Sequence, residues 1–235
     1  MTPLEETLRS TAATLGTRLD GVFADVAALA EAAAGIVAGP ATSASALEAL
    51  RPVVERIVVE QGGLVDSAGV SVVPGLLSDA ETWHQWWSLV GGKLVFVPHN
   101  LNPASVNYYD YTEMTWFERP LASGRPELTG PYIDFGGAFD VKVVTAARPV
   151  PRDSQTGAIA GADLSMEVIE RALLQNLGRR DEHVALITET GKIVASNSAR
   201  FAPGLRFEGS LAGLLSVPVA AADLASPPWR LVAVA

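Results

Sequence analysis

The chain reads as an α+β protein, a long N-terminal helix backing two antiparallel-sheet lobes, the second smaller. Three observations predict this. Leu4, Leu8, Leu15, Leu19, Phe23, Val26, Leu29, Ala33 and Ile36 recur at helical spacings and draw one apolar stripe along a single helix ending near Gly39-Pro40. Two distant stretches, GLVDSAGVSVV and ALITETGKIVAS, share one pattern: apolar strand, polar turn with glycine, apolar strand. Finally, WHQWWSLV and KLVFVP flank Gly91-Gly92, a two-residue hairpin signal.

Taken in order, the first helix is too long to be sustained by propensity, so its stripe must be buried. The stripe exceeds what one small lobe needs, which predicts a homodimer through this helix; packing within one subunit accounts for it equally well. ALEALRPVVERIVVEQ gives a second helix, with Leu47, Leu50, Val54, Ile57 and Val58 on one side. Pro52 starts its main part or kinks it, and Gly62-Gly63 stops it. GLVDSAGVSVV then forms a hairpin turning at 66–69, with Gly69 and Gly191 in equivalent turn positions. A helical run through Trp116 carries Pro120 and is broken by Gly-Arg-Pro and Gly-Pro. The strands FDVKVVTAARPV and GAIAGADL enclose a polar loop at 151–157. Ser165 caps the helix SMEVIERALLQNLG, Gly178 ends it, and SPPWRLVAVA supplies the last strand. The resulting boundaries are 1–60 for the N-terminal helices, 61–178 for the first lobe with its exit helix, and 179–235 for the second lobe.

Composition excludes several classes. A net charge of -9 argues against a nucleic-acid partner and mildly favours cationic ligands. With no cysteine there is neither a disulfide nor a thiolate metal site. GxSxG, HExxH, the Walker loop and GxGxxG are all missing, and TGK at 190–192 lacks the rest of a phosphate loop. His84, His99 and His183 are scattered, without ligand spacing. Neither an enzyme nor a bound metal or cofactor is expected. The N-terminus has no signal-peptide core, and no run reaches the roughly eighteen apolar residues of a membrane span. A complete chain of this kind is expected in the cytoplasm.

Chemistry concentrates in YYDYTEMTWFERPLASGRPELTGPYID, residues 108–134, which holds five of the chain's nine tyrosines and tryptophans. Asp110-Tyr111, Trp116-Phe117 and Pro131-Tyr132-Ile133-Asp134, with GAIAGADLSM and its Asp163 downstream, resemble the ligand-binding core of the double Cache sensor family. The resemblance implies two PAS-like lobes, ligand recognition in the first, and signalling through a partner protein. Family members that bind α-amino acids grip the carboxylate with an Arg and a Trp, and the amine with acids and tyrosines. The positions that match are Tyr109, Trp116, Tyr132, Asp134 and Asp163, while Met114 stands where the Arg would be.

That substitution carries the functional expectation. A thioether cannot pair with a buried carboxylate, which removes roughly 2–5 kcal/mol from carboxylate binding. Carboxylates beside aromatic faces remain a good ammonium site. The expectation is therefore a small-amine sensor (polyamine, biogenic amine or quaternary amine) with Tyr109, Met114, Trp116, Tyr132, Asp134, Asp163, Trp86 and Trp87 at the site. Alternation does not say which of Trp83, Trp86 and Trp87 face it. Ordinary roles compete: Trp116 and Tyr132 as core aromatics, Asp134 as the cap of a turn before Gly136-Gly137, Asp163 as a helix cap. Two other readings stay open. One is a sensor for amino acids or other carboxylates, with Lys93 or Arg125 in place of the Arg. The other is a protein-interaction module without a ligand.

Overall fold

The computed structural model describes residues 1–39, 42–134, 141–153 and 155–234. The chain divides into two compact units, Val22–Leu164 and Met1–Gly21 with Ser165–Ala235. Helix α1 runs unbroken over Pro3–Val37. Its stripe is taken up within the chain: Leu8, Leu15, Leu19, Phe23, Val26, Leu29 and Ala33 are all buried. The homodimer thus loses the observation that motivated it.

In the unit Val22–Leu164, a 3-10 helix, Ala44–Leu50, runs into α2, Arg51–Glu60. Pro52 lies in the first turn of α2, where its missing N–H has no helical partner to lose, so it starts the helix. Six strands follow: β1 Val65–Val72, β2 His84–Val90, β3 Lys93–Phe96, β4 Glu127–Asp134, β5 Val141–Arg152 and β6 Gln155–Ser165. They form one sheet in the order β3-β2-β1-β6-β5-β4. Val90 pairs with Lys93 across Gly91-Gly92, whose φ angles of 58° and 77° are those a two-residue hairpin requires. Helix α3, Thr115–Ser123, packs on β4 and β5 through Trp116, Phe117 and Pro120, and ends at Gly124 in the left-handed region.

The expected hairpin at 66–69 is corrected. Residues 65–72 form one continuous strand, β1, with β2 on one side and β6 on the other. Gly69 is a close-approach glycine: a Cβ there would lie 2.1 Å from the Gln85 carbonyl oxygen and 2.7 Å from Trp86 Cε3. A glycine inside an apolar run marks either a turn or such an approach, and the side chain of Trp86 decides here.

The other unit holds α4, Met166–Leu177, and the strands β7 His183–Thr188, β8 Ile193–Ser196, β9 Ser216–Val219 and β10 Trp229–Val234, ordered β8-β7-β10-β9. Here the glycine does turn the chain: Gly191 has φ 77° between β7 and β8. Ser165 stands at the N-cap of α4, but its side chain makes no capping hydrogen bond; Gly178 closes the helix. Ile169, Ala172, Leu173 and Leu177 form the buried face of α4. No helix among the described residues is long and apolar enough to cross a membrane.

Candidate ligand-binding site

Antiparallel partners project side chains to the same face of a sheet, so the registers identify one face of the six-stranded sheet. Ser88, Trp86 and His84 on β2 oppose Ser67, Gly69 and Ser71 on β1, which oppose Asp163, Gly161 and Ile159 on β6. Across β4 and β5, Thr129 opposes Thr145 and Tyr132 opposes Val143, with a register shift between Thr129 and Tyr132. Over this face lie Tyr109, Tyr111, Trp116 and Phe117, which cluster with Ile159 and Ala147 and against which Met114 and Tyr132 pack.

Asp163 is the hub. Thr145 donates to its Oδ1 at 2.6 Å, and Ser67 and the Trp86 indole N–H donate to its Oδ2 at 2.7 and 3.2 Å. Because the Thr145 proton goes to Asp163, the Tyr132 hydroxyl donates to Thr145, at 2.6 Å. Tyr109 donates to Asp134 at 3.4 Å. One hydrogen-bonded group thus joins residues of β1, β2, β4, β5 and β6.

The electrostatics are acidic and poorly solvated. Burial, followed by the charge of Asp134, lifts the Asp163 carboxyl from 3.8 to about 7. Burial and the same two carboxylates hold the Tyr109 and Tyr132 hydroxyls far above the ordinary tyrosine value. The three groups that hydrogen-bond Asp163 are all neutral donors. Lys93 and Arg125 are both exposed. Met114 stands half-buried at the margin, one residue before α3, and offers an apolar wall.

Seven of the eight expected residues are thereby placed together: Tyr109, Met114, Trp116, Tyr132, Asp134, Asp163 and Trp86. Trp87 is not. It projects from the other face of β2 with Trp83 and Gln85, fully buried and edge-on to Phe96. Asp163 caps no helix, since it lies within β6 and its carboxyl is engaged by Thr145, Ser67 and Trp86. Gly136-Gly137, the turn proposed beside Asp134, lies outside the described residues. Sequence reasoning missed Ser67 and Thr145, which carry no local signal. It also missed His84 and His99, whose rings meet at 4.3 Å beside Tyr109. The period-two alternation from Trp86 to His84 was the available signal for the first of these. Among the described residues no group of three or more His, Asp or Glu side chains could hold a metal ion.

Residues 97–171 match the family model described as methyl-accepting chemotaxis protein-like, first PDC sensor domain, a span that runs from before Tyr109 to beyond Asp163. Among solved structures, the methyl-accepting chemotaxis protein X superposes with a TM-score of 0.68 at 17% identity, covering 97% of this chain and 96% of that one. The fold is that of the double Cache sensor domains. Two further structures with this fold carry ligands. The ligand-binding domain of the Pseudomonas aeruginosa PAO1 chemoreceptor PctC in complex with GABA is 20% identical, with a TM-score of 0.62 over 98% of this chain and 97% of that one. That of the Pseudomonas fluorescens chemoreceptor CtaA in complex with L-valine is 18% identical, with a TM-score of 0.63 over 97% and 94%. No curated protein matches the chain in sequence.

Proposed function

We propose that this double Cache chain is a ligand-binding sensor domain that recognises a small ammonium compound between Asp134, Asp163 and the aromatic side chains around them, and reports occupancy to a partner protein. The observation that carries the reading is the state of Asp163. It is buried, its hydrogen-bonding partners are all neutral, and a second carboxylate acts on it strongly enough to help hold its pKa at about 7. Two carboxylates facing one poorly solvated space either share a proton or attract a cation. Trp86, Trp116 and Tyr109 supply the π-faces that favour an ammonium over a metal ion.

GABA and L-valine, bound by two of the structural neighbours, both carry an ammonium group beside a carboxylate. They give the amino-acid reading its support, and they also share the end that this site is suited to take. The readings part at the carboxylate, for which the site offers Met114 where the family's amino-acid binders have Arg. Calorimetry with a matched set, n-butylamine, γ-aminobutyrate and butyrate, tests this. The amine is expected to bind most tightly and butyrate not at all. Tighter binding of butyrate than of butylamine would overturn the ammonium reading, and γ-aminobutyrate binding well above butylamine would favour the amino-acid one.

A further inference from the structure

His84 and His99 have no part in the reading above, yet they are continuous with its aromatic side. His84 precedes Trp86 by two residues on β2 and stacks on it, ring centroids 4.8 Å apart and planes 11° apart. It also lies 5.8 Å from Trp116 and 5.6 Å from Tyr109. His99 meets His84 edge-on at 4.3 Å and sits 4.6 Å from Tyr109. Burial keeps both rings neutral at pH 7, lowering His84 well below the ordinary histidine value, with help from His99, and His99 to about 4.

Neutral imidazoles are not equivalent to phenyl rings here. His99 Nδ1 lies 3.0 Å from the Val97 carbonyl oxygen, which can only accept, so Nδ1 carries the proton and Nε2 an unshared lone pair. No hydrogen bond satisfies that Nε2 among the described residues. His84 is tied through Nδ1 to the Ser71 hydroxyl at 2.6 Å, which fixes its ring against Trp86.

We propose that His84 and His99 form a hydrogen-bonding wall of the ammonium site and select ligands with a second hydrogen-bond-donating group, a hydroxyl or a second amine, a few bonds from the ammonium. The proposal rests on the ammonium reading and narrows it to amino alcohols and short diamines. His84 positions the wall, and His99 Nε2 accepts from the ligand's distal group. A plain alkylamine fills the ammonium end alone and leaves that lone pair unmet.

Calorimetry at pH 7 on the full chain with n-propylamine, 3-amino-1-propanol and 1,3-diaminopropane tests it. The amino alcohol or the diamine is expected to bind at least about tenfold tighter than propylamine, the worth of one well-made hydrogen bond. His99→Phe should abolish that preference, so that the three amines bind the variant with equal affinity. A second readout uses the unaltered protein: the 15N resonance of His99 Nε2 should shift on adding aminopropanol and stay in place on adding propylamine. Equal binding of the three amines, a preference that survives in His99→Phe, or a resonance unmoved by aminopropanol would overturn the wall. If butyrate binds and propylamine does not, the ammonium reading itself falls, and the wall with it.

Discussion

Asp163→Asn separates charge from geometry at the centre of the site. The amide keeps the shape of the carboxyl. Its oxygen, in the place of Oδ2, still accepts from Ser67 and from the Trp86 indole. Its nitrogen falls in the place of Oδ1, where Thr145 now donates. Thr145 can turn to accept from the amide and give its own proton to the Tyr132 oxygen, reversing the direction of that short chain without breaking it. What changes is the charge.

In the natural protein the folded-state pKa of Asp163 is raised from 3.8 to about 7, by burial first and Asp134 second. A raised acid favours its protonated form on folding. Its contribution to stability is therefore complete below about pH 4 and is lost as pH rises through 7. At about 1.4 kcal/mol per pKa unit, a rise of about three units caps the loss near 4 kcal/mol, and 2–4 kcal/mol is the working range once partial solvation is allowed for. Without ligand, the Asn variant should match the natural protein at pH 4 and exceed it at pH 8 by that amount, roughly 5–15 °C in Tm. An ammonium ligand should act oppositely on the natural protein, binding more tightly from pH 6 to 8 and releasing up to one proton. The variant should lose about two to four orders of magnitude in amine affinity. Differential scanning calorimetry from pH 4 to 8 and titrations in two buffers of different ionisation enthalpy measure all of this. Superimposable Tm profiles, or undiminished amine binding by the variant, would refute the reasoning.

Two further outcomes follow from the same geometry. Met114→Arg should restore a carboxylate partner, raising γ-aminobutyrate affinity about tenfold or more and weakening butylamine by like-charge repulsion; calorimetry showing the two ligands unmoved relative to each other would sink the assigned role of Met114. Gly161→Ala places a Cβ 3.0 Å from Trp86 Cη2 and 3.3 Å from the Ala146 carbonyl oxygen, so the indole must shift. It should cost about 1–3 kcal/mol of stability by chemical denaturation, and weaken amine binding beyond that, through the displaced Trp86–Asp163 bond.

How much of this was legible beforehand depended on the range of each interaction. The stripe on α1, the Gly91-Gly92 hairpin and the β7–β8 turn are local patterns, and local rules read them. Gly69 misled because its reason for being glycine lies on another strand. Tyr109, Trp116, Tyr132, Asp134 and Asp163 were reached through resemblance to a family motif, which preserves long-range proximity that spacing alone does not express. Ser67 and Thr145 belong to no such motif. Their contacts with Asp163 span 96 and 18 residues of sequence and arise only from strand register. The same limit hid the meeting of His84 with His99, since one lies on β2 and the other beyond the end of β3.

Register also decides which side chains surround Asp163. Gly69 and Gly161 are cross-strand partners, and both lack the Cβ that would stand where the Trp86 ring lies. The indole can therefore lie across β1 toward β6 and share its N–H between Ser67 Oγ at 2.9 Å and Asp163 Oδ2 at 3.2 Å, while its ring contacts run to His84 and Trp116. A slip of one residue in the β1–β2 pairing would put Trp87 on this face and Trp86 on the other. Trp87 is held on the far side by Phe96, and Gln85, on that same far face, is bonded by Trp83 and Glu48. The packing of the far face thus fixes which tryptophan meets the carboxylate, and the two glycines make room for it. An acid this deeply buried is tolerable in the empty protein because three neutral donors hold it and a proton can neutralise it near pH 7. On the proposed reading, an ammonium group that displaces that proton would relieve the same burden.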